Sequence, residues 1–224
     1  MIYTRRQFLQ RGLQLAAMAS LPKLASAGSY TDFFRAVNID DVGVVSSLLA
    51  QGFDPNAVDS KGNSALYLAL RYQSLKVAKL LIDDPKTHLD QLNPFDENAL
   101  MIASLQGDLA IVELMVEKGA EINKAGWTPL AYAASKGHTD VVKFLLDHSA
   151  YIDAAAPNGT TPLMMAAYFG YDDTVRALLD EGADPKLKNA MGFTAVDLAV
   201  QGQHMGIANL IARAIAKDRT GGGW

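Results

Sequence analysis

A period of about 33 residues limits this chain more than any other feature, because a self-similar chain must stack copies rather than wrap one undivided core. Leu66, Leu100, Leu130, Leu163 and Val196 recur at spacings of 34, 30, 33 and 33 residues. Three residues beyond each stands an alanine: Ala69, Ala103, Ala133, Ala166 and Ala199. Stepping back 33 residues from Ala69 reaches Ala36, in a first and more diverged copy. The copies run over 30–59, 60–93, 94–124, 125–156, 157–189 and 190–219.

The fourth copy shows the unit most fully. It reads Gly126-Trp127-Thr128-Pro129-Leu130-Ala131-Tyr132-Ala133-Ala134-Ser135-Lys136-Gly137-His138, then Val141-Val142 and Leu145-Leu146. Thr128, and Thr161 in the fifth copy, suit a helix N-cap, where a hydroxyl accepts from an otherwise unpaired amide. Pro129 and Pro162 then fall at the first helical position, where no hydrogen bond is lost. Gly137 and Gly170 close that helix in a left-handed conformation. Paired alanines allow close helix approach, and the Val and Leu positions fill the layer between copies.

At these residues the chain resembles the ankyrin repeat, whose pattern runs G-x-T-P-L-H-x-A-A-x-x-G-H, then V-x-x-L-L and G-A-x-x-N. The fifth copy repeats it with Gly159, Thr161-Pro162-Leu163, Ala166-Ala167, Gly170, Val175, Leu178-Leu179 and Gly182-Ala183. The resemblance covers roughly residues 30–215. It implies an all-α solenoid of six helix-turn-helix repeats with short β-hairpin fingers, and protein binding through a concave face of finger tips and first helices.

Several departures are expected to shape that solenoid. Asp32, Arg35, Asp40 and Asp41 give the first copy a polar exterior suited to a cap. The last copy lacks the Gly-His turn, reading Gly202-Gln203-His204, and residues 220–224 read as a flexible tail. The second copy ends with one extra residue at Asp83-Asp84-Pro85-Lys86-Thr87-His88, which rebuilds its outer loop. Asn123 to Thr128 is five steps where Asp153 to Thr161 is eight, so the finger between the third and fourth copies lacks three residues. The notch is either a partner-shaped gap or a harmless deletion.

Residues 1–27 read as an export leader. A basic start precedes an apolar run over 12–21, and Ala25-Ser26-Ala27 offers signal peptidase small residues at Ala25 and Ala27, with cleavage after Ala27. The run is too short for the about 20 residues that span a bilayer. Thr4-Arg5-Arg6-Gln7-Phe8-Leu9-Gln10 resembles the twin-arginine motif Ser/Thr-Arg-Arg-x-Phe-Leu-Lys, carried by Arg5, Arg6, Phe8 and Leu9, with Gln10 in place of Lys. That resemblance implies export of a folded bacterial protein to the periplasm or beyond. An uncleaved leader on a cytoplasmic regulator is the alternative.

Composition narrows the partner and the chemistry. The absence of cysteine removes disulfides and thiolate sites. The leader holds four of the 20 basic residues and no acidic ones, leaving 16 against 24, a net charge of −8. Such a body repels phosphate backbones and anionic lipid, so neither nucleic acid nor membrane is expected as a partner. Its acidity suits a basic partner or serves solubility. His88, His138, His148 and His204 have no ligand spacing around them, and Asp83-Asp84 and Asp172-Asp173 read as helix-end carboxylates. No catalytic residues, metal or cofactor are expected, and the solenoid is expected to be a monomer by itself. A small-ligand binder or an enzyme is the rival reading, and it needs a deep polar pocket.

Carried over position by position, the concave face takes the residue before each cap, the two before each helix-ending glycine position, and the finger tips. This selects Arg71, Tyr72, Trp127, Lys136, Tyr168, Phe169, Met191 and Phe193 as partner-binding residues. Asn63, Glu97, Thr160, Leu105-Gln106, Ser135 and the tips Lys61 and Asn158 accompany them. The aromatics exceed what the alanine and leucine anchors need for packing. They either mark an interface or fold back on the neighbouring finger. The expected partner is an envelope or exported protein. Resemblance to exported bacterial ankyrin proteins allows an inhibitor or an accessory to an exported enzyme, including one in oxidative-stress defence.

Overall fold

The computed structural model of this chain describes residues 27–220, with side chains from 28 to 217. Leader residues Arg5, Arg6, Phe8, Leu9 and Ala25, and tail residues 221–224, lie outside the described residues; Ala27 is the first residue of the first helix. Each predicted copy is a pair of antiparallel helices. They are α1 (Ala27–Asn38) and α2 (Val42–Ala50), α3 (Ala65–Arg71) and α4 (Leu75–Asp83), α5 (Ala99–Gln106) and α6 (Leu109–Glu117). The row continues with α7 (Pro129–Ala134) and α8 (Thr139–Asp147), α9 (Pro162–Phe169) and α10 (Asp172–Asp180), α11 (Ala195–Gln201) and α12 (Met205–Thr220). First helices pack on first helices and second helices on second helices, each copy touching its neighbours.

Local chemistry sets the start of every inner helix after α1. Ser64, Asn98, Thr128, Thr161 and Thr194 each accept from the backbone amide three residues on, at 3.0–3.3 Å. Burial then fixes the stack. Leu66, Leu100, Leu130 and Leu163 are fully enclosed with Val141, Leu145, Val175 and Leu178, so no single copy owns its core.

Two ladders hold successive copies in register. In the first, a side-chain oxygen at each finger base accepts a backbone amide of the next copy: Asn56 from His88 (2.6 Å), Asp90 from Glu121 (2.9 Å), Asn123 from Tyr151 (2.8 Å) and Asp153 from Asp184 (3.2 Å). In the second, a ring from the next copy covers the left-handed turn. Gly137 has φ +73°, and a Cβ there would lie 2.3 Å from the Tyr171 ring; Gly107 carries the His138 ring in the same way.

The end copies correct two expectations. The last copy lacks a glycine before His204, yet Gln203 adopts φ +65° and the His204 ring still covers Gly170. The turn is kept because the backbone bond from His204 to Ala199 closes it whatever the side chain. In the first copy, Asp40 and Asp41 do more than polarise a cap. Asp41 caps α2, and Asp40 reaches the amide of Val77 at 2.9 Å, supplying the cap that Ser74 does not give α4.

The fingers are tight turns rather than strands. Segments 59–63, 93–97, 156–160 and 189–193 are each closed by one backbone bond of 2.8–3.0 Å from the first residue's amide to the last residue's carbonyl. Among the described residues Val58–Ser64 makes an isolated antiparallel bridge, and no strand is present. The shortened finger before Thr128 runs as bends without such closure. The rebuilt second-copy loop borders a depression of about 420 Å³ whose rim includes the Asp83–Lys118 ion pair at 2.8 Å.

Candidate partner-binding face

Glu97 is the polar centre of the face made by finger tips and first helices. It sits at the end of the 93–97 finger, and its carboxylate accepts from the Tyr67 hydroxyl of α3 at 2.7 Å and from the Tyr132 hydroxyl of α7 at 2.8 Å. Asn93 donates to the same carboxylate at 3.1 Å and to Asn63 at 3.2 Å. One side chain thus ties three successive copies together.

Burial pulls the Glu97 pKa upward, but the hydrogen bonds from Tyr67, Tyr132 and Asn93 and the nearby Arg71 charge outweigh it and hold it below the usual carboxylate value. The same burial, with the carboxylate as neighbour, pushes Tyr67 up to about 12 and raises Tyr132 as well. The network therefore keeps one anion and two neutral phenols over the neutral pH range. Glu97 was expected as a variable surface position. Its satisfied carboxylate serves the scaffold instead.

Around this centre lie the residues selected from the repeat positions. Arg71, Tyr72, Lys136, Tyr168, Phe169, Met191 and Phe193 are all exposed. Tyr168 and Phe169 meet edge to face at 5.0 Å between ring centroids. Trp127 differs from the rest. It is half-buried, its ring set edge-on to Tyr132 at 6.4 Å, because the shortened finger brings it directly onto α7. With Leu105, Ala131, Tyr132, Ser135 and Met165 it lines a depression of about 190 Å³.

Sequence reasoning missed the most exposed aromatic among the described residues. Phe95 is 78% exposed at the tip of the 93–97 finger. It occupies the position of Lys61, Asn158 and Met191, and aligning the closed finger turns from the first to the last residue would have found it. Met191, 70% exposed, crowns the last finger in the same way.

His138 and His148, and Asp83 and Asp172 of the paired carboxylates, are taken up by structure. His138 Nε2 lies 3.0 Å from the Leu105 carbonyl oxygen, and His148 Nδ1 lies 2.8 Å from that of Phe144. Asp83 pairs with Lys118, and Asp172 with Arg176 at 2.7 Å. Among the described residues no group of His, Asp or Glu is arranged to hold a metal ion, and no helix is long and apolar enough to cross a membrane.

The model of ankyrin repeats in three copies matches the chain over 33–125, 84–156, 121–189 and 153–220, in overlapping sets that together take in all six helix pairs. The chain belongs to the ankyrin-repeat family. Among solved structures, an ankyrin repeat domain from Acinetobacter baumannii AYE superposes with a TM-score of 0.71 at 26% identity, covering 81% of this chain and 96% of that one. Among curated relatives, the ankyrin repeat protein YahD of Escherichia coli K12 is 32% identical over 125 residues, 53% of this chain and 60% of its own. Mouse protein phosphatase 1 regulatory subunit 27 is 37% identical over 101 residues, 43% of this chain and 66% of its own. Rat ankyrin repeat and SAM domain-containing protein 6 is 32% identical over 109 residues, and the match spans 12% of it. Ankyrin repeats are scaffolds for protein–protein interaction, and this chain is built as one.

Proposed function

We propose that this protein is a non-catalytic ankyrin binding module that works outside the bacterial cytoplasm and holds one protein partner on its inner face. The observation that carries the binding is the exposed aromatic series Tyr72, Phe95, Tyr168, Phe169 and Phe193 on a face stiffened by the Glu97 network. Large rings held out on a rigid surface cost little entropy to dock and dominate interface energetics. The name of one relative, a phosphatase regulatory subunit, fits a role exerted on another protein's activity. Export rests on the Thr4–Gln10 resemblance to a twin-arginine motif.

The test is affinity capture with the tagged full chain from a periplasmic extract of the native host, run beside a Tyr168→Ala/Phe169→Ala variant. One protein captured in stoichiometric amount by the parent and lost with the variant is the expected result. The partner's turnover then separates the two roles: an inhibitor lowers it, an accessory raises its yield or rate. N-terminal sequencing of the native protein addresses export. A mature chain starting at Gly28 fits the reading, and an intact Met1 in the cytosolic fraction sinks it.

A further inference from the structure

The four closed fingers differ in what locks them. In three, the first residue's side chain accepts two amides of its own turn. Asp59 accepts from Lys61 and Asn63 (both 2.9 Å), Asn93 from Phe95 (2.9 Å) and Glu97 (3.0 Å), and Asn189 from Met191 and Phe193 (both 3.0 Å). The 156–160 finger begins instead with Ala156, which has no side-chain acceptor. Its lock comes from the tip, where Asn158 Oδ1 accepts the Thr160 amide at 3.1 Å.

Asn158 is followed by Gly159, and no other asparagine of the sequence precedes a glycine. A glycine carries no Cβ, so its amide nitrogen meets little steric resistance on the way to the preceding asparagine's side-chain carbonyl. The fold itself demands this pair. Gly159 has φ +76°, and a Cβ there would lie 3.0 Å from the Ala190 nitrogen. Asn158 is exposed, so water reaches its carboxamide. Its backbone carbonyl accepts from the Ala190 amide at 2.8 Å, a cross-link to the finger that carries Met191 and Phe193.

We propose that Asn158-Gly159 is a self-modification site, held unreactive while its finger is closed and converted to an acid when the finger opens. The Gly159 nitrogen bonds to Asn158 Cγ and gives its proton to solvent. The Cγ–Nδ2 bond breaks, and the departing nitrogen takes up a proton and leaves as ammonia. Water then opens the five-membered imide at either carbonyl, giving aspartate, or isoaspartate with the main chain rerouted through Cβ and Cγ.

The closed finger blocks the first step twice. The Gly159 amide donates to the Ala156 carbonyl at 2.7 Å, and the Asn158 carboxamide is turned toward Thr160. Both bonds must break before nitrogen reaches Cγ. With no acceptor on Ala156, this finger opens more readily than the other three. Isoaspartate displaces the oxygen that holds Ala190, which frees the last finger of the inner face. The modification needs no partner and stands apart from the binding reading.

The full chain is incubated in mildly alkaline buffer, folded and in urea, and residue 158 is followed by peptide mapping with mass spectrometry. The unfolded chain should convert Asn158 about tenfold faster or more, since two hydrogen bonds guard the closed finger. Native-state hydrogen exchange at the Gly159 amide measures how often the finger opens, without any substitution. The folded rate should match the unfolded rate multiplied by that open fraction. Ala156→Asn, which restores the lock of the other fingers, should slow the folded reaction and leave the rate in urea unchanged. Exchange at the Ala190 amide should quicken in the isoaspartyl form. No conversion in urea, equal rates in the two states, or a folded rate far from the exchange-derived value would overturn the proposal.

Discussion

The Tyr132 hydroxyl donates to the Glu97 carboxylate at 2.8 Å, joining an inner helix to the finger of the copy before it. Tyr67 approaches the same carboxylate from the other side, so its loss leaves two phenols without their acceptor. Glu97→Ala should cost about 1–3 kcal/mol, the range for stranding a buried hydrogen-bonding group, and Glu97→Gln should cost less. Urea midpoints of parent and both variants measure this.

The same network predicts how stability follows pH. The folded pKa of Glu97 is held below its unfolded value of about 4.3, so its contribution is complete above that value and is lost as pH falls through the folded one. Tyr67 is shifted the other way, to about 12. Its contribution is complete below the unfolded value of about 10 and is lost as pH rises toward 12. Urea midpoints recorded from pH 2 to 11.5 should therefore fall at both ends, and Glu97→Gln should flatten the acid limb. Parallel curves for parent and variant would remove Glu97 as the cause.

Gly137 and Gly119 separate backbone strain from packing. Both have positive φ, but a Cβ at Gly119 meets open space while one at Gly137 runs into the Tyr171 ring. Each Ala variant should destabilise, by about 1 kcal/mol at Gly119 and by clearly more at Gly137. Tyr171→Ala added to Gly137→Ala should recover part of the difference. An equal cost at the two sites would mean the ring ladder gives way freely.

Leu145 and Leu178 are wholly enclosed between copies. Leu145→Ala and Leu178→Ala should each cost about 2–5 kcal/mol through the cavity left behind. Because the copies share their core, one cooperative transition should move to lower denaturant. Melting curves that overlay the parent would contradict the stacking described above.

Phe169 is nearly half exposed, and Phe169→Ala should leave stability within about 0.5 kcal/mol while weakening capture of the partner. Trp127→Ala should cost more, about 1–2 kcal/mol, since its ring packs against Tyr132. Equal stability losses would place Phe169 in the scaffold.

Much of this architecture was legible before any coordinates. Threonine before proline, alanine pairs and glycine at the turn are local instructions, and Thr128, Pro129 and Gly137 adopt the cap, first-turn and left-handed conformations they imply. The exposed positions of Arg71, Tyr72, Lys136, Tyr168, Phe169, Met191 and Phe193 followed from the same register. Phe95 escaped because the aspartate at position 96 replaces the tip glycine that marks the other fingers. Gln203 shows the converse, a turn preserved by backbone bonds where its usual residue is missing.

Sequence alone determined the repeat, its length, the starts of the inner helices and the layer of residues that must be buried, because each of these depends on neighbours within one copy. Only the tertiary structure decided what Glu97, Trp127 and Asp40 do. The partners of Glu97 and Asp40 stand 30–37 residues away in neighbouring copies, so which atoms meet depends on the stagger between copies, whereas Trp127 meets Tyr132 of its own copy across the shortened finger. That stagger is set by packing summed over the whole stack, and no single copy of the sequence contains it.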